Sequence, residues 1–124
     1  YPLKSEAGID QVRAARFDGV IIPGGYAPDK LRRNEKMVRF VSDLFKAQKL
    51  VASICHGPWM FCEADLLRGG KRFTCVGAIK TDCINAGGVY EDTEVVVDGN
   101  LISSRTPPDL PALMRAVLAF LEKN

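Results

Sequence analysis

Histidine and tryptophan are nearly missing from this chain, one of each in 124 residues, and no apolar run approaches the roughly 20 residues that span a bilayer. A transmembrane anchor is therefore not expected. The four cysteines, Cys55, Cys62, Cys75 and Cys83, have neither Cys-x-x-Cys spacing nor companion histidines, which removes the usual zinc sites, and no metal or other cofactor is expected. An excess of charge is lacking too: 17 basic residues face 15 acidic ones, and the basic ones are scattered. No electrostatic footprint for nucleic acid or an anionic membrane follows from that balance. With no signal-like start in view, the expectation is a soluble, cytoplasmic protein whose cysteines stay reduced.

What is present is a core. Hydrophobic residues make up 47% of the chain, which suits one compact domain over residues 1–124. "FDGVIIPGG" is a β-branched run ended by Pro23, Gly24 and Gly25, as expected of a strand buried on both faces. "YAPDKLRR" reads as a loop, with Asp29 a solvated residue in it. Asn34 can cap a helix in which Met37, Phe40, Val41, Leu44 and Phe45 recur at helical spacing through Lys49. "LVASI" is a second buried strand. "PWMFCEADLL" reads as a helix stopped by Gly69 and Gly70, within a "RGGKR" turn.

Strand, helix, strand, helix is the pattern of a parallel sheet with right-handed crossovers, so the fold class is an α/β sandwich. "IKTDCINAGG" adds a short helix with a glycine stop, and "EVVVDGNLISS" a hairpin around Asp98-Gly99-Asn100, hence an antiparallel edge. The closing helix, "PPDLPALMRAVLAFLEK", carries Leu110, Leu113, Met114, Val117, Leu118 and Leu121 on one stripe.

The stretch "VASICHGPW" concentrates the chemistry. Cys55 and the single histidine, His56, stand where a parallel strand gives way to a helix, and ligands of α/β proteins gather at the carboxyl ends of strands. A sharp strand-to-helix turn can hold a nucleophile above the sheet, and the positive end of a helix favours the ionised form of a thiol placed there. The Gly24-Gly25 turn after the preceding strand offers amides that no side chain blocks; with the amide of His56, that of Gly25 can form an oxyanion hole. His56 is a candidate base or acid, and its imidazole needs an orienting acid. A Cys-His dipeptide by itself is more often packing than catalysis. The junction is what singles out Cys55, whereas Cys62, Cys75 and Cys83 are read as small core hydrophobes.

At these residues the chain resembles the PfpI intracellular protease family, in the DJ-1/PfpI superfamily of class I glutamine amidotransferase-like folds. "FDGVIIPGGYAPDKLRRNEK", "VASICHGPWMFCEADLLRGGK", "IKTDCINAGG" and "EVVVDGNLISSRTPPDL" all match the family's segments in order. The resemblance implies a flavodoxin-like three-layer sandwich with a mostly parallel sheet. It makes Cys55 the nucleophile, His56 its neighbouring imidazole, and the amides of Gly25 and His56 the oxyanion donors. The acid comes from the loop after the Pro-Gly-Gly turn of a neighbouring subunit, which implies a homo-oligomer, a dimer or higher. Asp29 falls at that place, where the family usually shows the longer glutamate. Family members also begin with a strand, a helix and further strands ahead of this chain's first residue. They draw from that segment a glutamate that hydrogen-bonds the sulfur, so the domain is expected to be N-terminally incomplete.

The implied activity is a cysteine-dependent attack on a carbonyl, either of a peptide or amide, as in an intracellular protease, or of a small reactive aldehyde, as in a glyoxalase or deglycase. The alternative is a stress-response redox sensor or chaperone-like protein in which Cys55 oxidises without turnover.

Overall fold

The computed structural model describes residues 3–124. From residue 3 to β1 the chain makes only two short 3-10 turns, Ile9–Gln11 and Ala14–Arg16. The regular elements that follow are β1 (Gly19–Ile22), α1 (Ala27–Leu31), α2 (Glu35–Lys46), β2 (Leu50–Ile54), α3 (Trp59–Glu63), β3 (Arg72–Phe73), α4 (Lys80–Asn85), β4 (Val89–Tyr90), β5 (Val96–Asp98), β6 (Leu101–Ser104) and α5 (Leu110–Lys123).

Four strands form the main sheet in the order β1-β2-β6-β5. β2 is parallel to both neighbours, with Ile21 opposite Ala52 and Ser53 opposite Ser103, and β5 is antiparallel to β6, with Val97 opposite Ile102. The expected sandwich with an antiparallel edge is what forms. β3 and β4 make a separate two-stranded parallel pair; at two residues each they are too short to show alternation in the sequence.

The two faces of the main sheet are covered differently. On one face Val51, Ile22 and Leu101 meet Val41 and Leu44 of α2, Met60 and Phe61 of α3, and Leu67, Phe73, Ile79 and Cys83. On the other, Leu50, Ala52, Ile54 and Ile102 meet Leu113 and Val117 of α5. Each fully buried Leu, Phe or Met in these layers contributes on the order of 1.5–3 kcal/mol of transfer free energy. Because α5 packs over β2 and β6, the same face of β1 is left open. Ile21 is 47% exposed, which corrects the expectation of a strand buried on both faces. The stripe on α5 is likewise wider than the sheet it covers: Leu110, Met114, Leu118 and Leu121 remain exposed.

Helix ends follow local chemistry. The Asn34 side chain accepts from the N–H groups of Lys36 and Met37 and caps α2 as expected. At the other end Gln48 turns left-handed, φ +62°, while Lys49 N–H donates to Leu44 O. This 6→1 bond is the Schellman stop. α3 ends the same way at Asp65, φ +59°, with Leu66 N–H on Phe61 O. It is therefore shorter than the helix expected to run on to Gly69; Leu66 and Leu67 are buried but not helical. The segment expected as a loop, "YAPDKLRR", instead contains the single-turn α1, which starts with a buried proline, Pro28. Proline fits a first turn because its missing N–H has no partner there to lose.

Candidate active site

β2 is buried along its whole length and delivers the chain to Cys55 at its carboxyl end. The backbone reverses there: Cys55 sits at φ +65°, a left-handed conformation that costs an L-residue roughly 1–2 kcal/mol. The surrounding bonds hold it in place. Cys55 N–H donates to Ser104 O of β6 at 3.2 Å, Val76 N–H donates to Cys55 O at 3.1 Å, and Gly57 N–H closes the turn on Ile54 O at 2.9 Å. Gly57 has no room for a side chain, since a Cβ would fall 2.7 Å from Ser53 Cβ and 2.9 Å from Ile22 O. The thiol is thus presented at a fixed place, half-buried, one turn ahead of α3.

Two groups meet the sulfur. His56 brings its Nδ1 to 3.3 Å from Cys55 Sγ, so these sequence neighbours do come together in space. From the adjacent strand end, a Cβ on Gly24 would lie 2.7 Å from Cys55 Cβ and 3.3 Å from Sγ, so bare backbone lies against the thiol. Gly25 follows at φ +70° with open space around it. Among the described residues, neither the Gly25 nor the His56 N–H is bonded to an internal acceptor. Both donors remain available to a ligand.

Asp29 is exposed in the first turn of α1, and within the chain its carboxylate pairs with Arg33 at 3.5 Å. Among the described residues no carboxylate bonds His56. The imidazole leans on Trp59 instead, ring centroids 5.3 Å apart and edge to face. Trp59 is in turn held by its Nε1–H donating to Asp82 Oδ2 at 3.1 Å and by the Arg32 guanidinium 5.6 Å above its ring. Sequence reasoning missed Trp59, although its position as the chain's single tryptophan three residues after His56 was a signal.

It also missed Arg105, which follows β6 beside the elbow. Its guanidinium donates to both oxygens of Asp109, at 2.8 and 3.1 Å, and to Asp92 Oδ1 at 3.0 Å. Asp109 is buried, and these hydrogen bonds from Arg105 hold its carboxyl below the usual range while raising the guanidinium's own value. The loop after β6 is locked down as a result. Among the described residues there is no cluster of three or more metal-ligating side chains, and no helix long and apolar enough to cross a membrane.

A thiol on a strained turn at the end of a parallel strand, touched by an imidazole and by side-chain-free backbone, defines an α/β protein with a cysteine at a strand-to-helix elbow. Residues 1–120 match the model of the DJ-1/PfpI family, and the chain belongs to that family. It is 47% identical over 122 residues to deglycase PH1704 of Pyrococcus horikoshii, covering 98% of this chain and 73% of that protein. It is 42% identical over 120 residues, 97% of this chain and 70% of the relative, to YraA of Bacillus subtilis, whose name carries a cysteine-protease assignment. Among solved structures, a two-domain protein of Anabaena variabilis with DJ-1/ThiJ/PfpI-like and ferritin-like domains superposes with a TM-score of 0.88 at 50% identity. That match covers 92% of this chain and spans 32% of the longer one.

Proposed function

We propose that this chain carries the nucleophilic site of an enzyme that adds a thiolate to the carbonyl of a small reactive aldehyde. The observation that carries the reading is the 3.3 Å contact between Cys55 Sγ and His56 Nδ1 at a left-handed elbow. Names among the relatives, deglycase and cysteine protease, support cysteine chemistry broadly.

With a 2-oxoaldehyde such as methylglyoxal, His56 takes the thiol proton and Cys55 sulfur bonds to the aldehyde carbon. The carbonyl π pair moves to oxygen, where the Gly25 and His56 amides stabilise it as oxyanion donors. A proton then leaves the former aldehyde carbon and returns at the neighbouring one, the former ketone oxygen takes the proton held by His56, and the oxyanion becomes the carbonyl of a thioester of the 2-hydroxy acid. Water cleaves that thioester and releases the hydroxy acid and the free thiol, so no external oxidant or reductant is needed. In the same reading the acid that orients His56 is Asp29 of a second copy in a homo-oligomer.

The test is loss of methylglyoxal measured beside hydrolysis of a peptide amide. Turnover of the aldehyde that vanishes in Cys55→Ser supports the proposal; aldehyde turnover that survives in Cys55→Ser overturns it. Peptide hydrolysis alone would shift the substrate class to amides, for which the same elbow forms an acyl-enzyme. Fast peroxide modification of Cys55 with neither turnover would favour the redox-sensor reading. For Asp29, Asp29→Asn is expected to lower turnover about 10-fold or more, as loss of a positioning acid in a triad does, without changing the sedimentation coefficient; full activity would remove it from the mechanism.

A further inference from the structure

We propose that Cys62 and Cys83 form a second, oxidisable thiol pair behind the elbow, which a hydroperoxide converts to a disulfide joining α3 to α4. Their Sγ atoms lie 3.5 Å apart. A disulfide requires about 2.0 Å, so side-chain rotation and an approach of the two helices must close the difference.

The two thiols are unequal in the way such a reaction needs. Cys62 is half-buried, so an oxidant of small size can reach it, whereas Cys83 is fully buried and also neighbours Cys75. The hydrogen bond with Cys83, and then the nearby charge of Arg32, hold the Cys62 thiol below its ordinary value against the opposing effect of burial. Bonding to Cys62 and to Cys75, together with burial, pushes the Cys83 thiol above its ordinary value. Cys62, the one of the two thiols that an oxidant can reach, is therefore the one that attacks, as its thiolate. Its sulfur takes the distal oxygen of the hydroperoxide, the O–O bond breaks, and with one proton an alcohol, or water, leaves a sulfenic acid on Cys62. Cys83 sulfur then bonds to Cys62 sulfur, its proton leaves with the hydroxyl group as water, and the disulfide results.

The pair is wired to the elbow by packing. Cys62 stands three residues after Trp59 on α3, and Cys83 follows Asp82, whose carboxylate accepts the Trp59 Nε1–H. Drawing α3 toward α4 moves the indole that supports His56. Since Trp59 is the chain's single tryptophan, its emission reports that movement directly. None of this depends on what Cys55 does.

The experiment exposes Cys55→Ser protein to hydrogen peroxide and maps its cysteines by mass spectrometry without reduction. The expected result is the loss of two hydrogens, a Cys62 to Cys83 cross-linked peptide, and a shift of Trp59 emission, all reversed by dithiothreitol and absent in Cys55→Ser/Cys62→Ala. Should Cys55→Ser fail to fold, the same cross-linked peptide is sought in the unsubstituted chain. Both thiols remaining alkylatable after peroxide, Cys62 advancing to a sulfinic acid unlinked, or Cys75 replacing Cys62 as the partner would each overturn the proposal.

Discussion

The turns that leave β1 and β2 lie side by side at the same end of the sheet and solve the same backbone problem with different residues. After β1 the left-handed position is Gly25, φ +70°; after β2 it is Cys55, φ +65°. Glycine adopts that conformation without steric cost, and cysteine does not. The first turn contributes bare amides and the second contributes a side chain, and only the second carries strain. Two other residues, Gln48 and Asp65, are equally left-handed, yet both stop helices by 6→1 bonds away from the elbow. Strain at Cys55 is thus distinguished by what stands around it: an imidazole, a glycine pressed on the sulfur, and a backbone bond to the neighbouring strand.

Several substitutions would sharpen or break that contrast. The largest effect is expected from Gly57→Ala, whose Cβ meets Ser53 Cβ and the backbone oxygens of Ile22 and Ile54 at 2.7 to 3.0 Å. Strand backbone cannot step aside as a side-chain tip can, so a loss of about 3 kcal/mol in denaturant unfolding is expected. Cys55→Gly is next: it relieves the left-handed conformation and raises stability by up to about 1 kcal/mol, the glycine's greater unfolded-state entropy offsetting part of the gain, while all thiol-dependent activity disappears. Gln48→Gly is its counterpart, with a similar gain in melting temperature and activity retained. Equal behaviour of the two variants in activity assays would abolish the distinction between a strained site and a strained helix stop.

The smallest effect concerns the loop beside the elbow and depends on pH. Arg105 depresses the folded-state value of Asp109, so the carboxylate stabilises the fold fully above its unfolded value of about 3.9 and loses that contribution as pH falls through the lower folded value. The melting-temperature gap between the native chain and Asp109→Asn should therefore be widest near neutrality and narrow in acid below about pH 4. A gap that stayed constant from pH 7 to the acid range would show that the pair is not the source.

Much of this was legible in the residues. "LVASI" coincides with β2, Asn34 caps α2, and Gly99 turns the β5–β6 hairpin because these depend on local pattern and turn chemistry. The junction at Cys55 was legible for the same reason. What the residues did not show depends on packing at a distance. Ile21 has the composition of a two-sided buried strand but lies beyond the reach of α5, and the apolar stripe of α5 exceeds the width of sheet it covers. α3 stops at Glu63 although Leu66 and Leu67 continue the apolar pattern, since burial persists where helix does not. Within the site, His56 turns back onto the sulfur beside a left-handed Cys55, and the support from Trp59 and Asp82 joins residues 23 positions apart.

The hydrogen bond from Cys55 N–H to Ser104 O also has a place in time. β1 and β2 are linked by one crossover, but β2 meets β6 only after α3, β3, α4, β4 and β5 have intervened in the chain, with Val51 pairing Leu101. Bringing such distant segments together must precede the reward of their contacts, which makes such pairings slow. Until β6 docks, the carbonyl that anchors the elbow is not there, and the thiol is an ordinary side chain on an unfinished strand end. The surroundings of the thiol therefore depend on a long-range pairing and not on the elbow's own sequence.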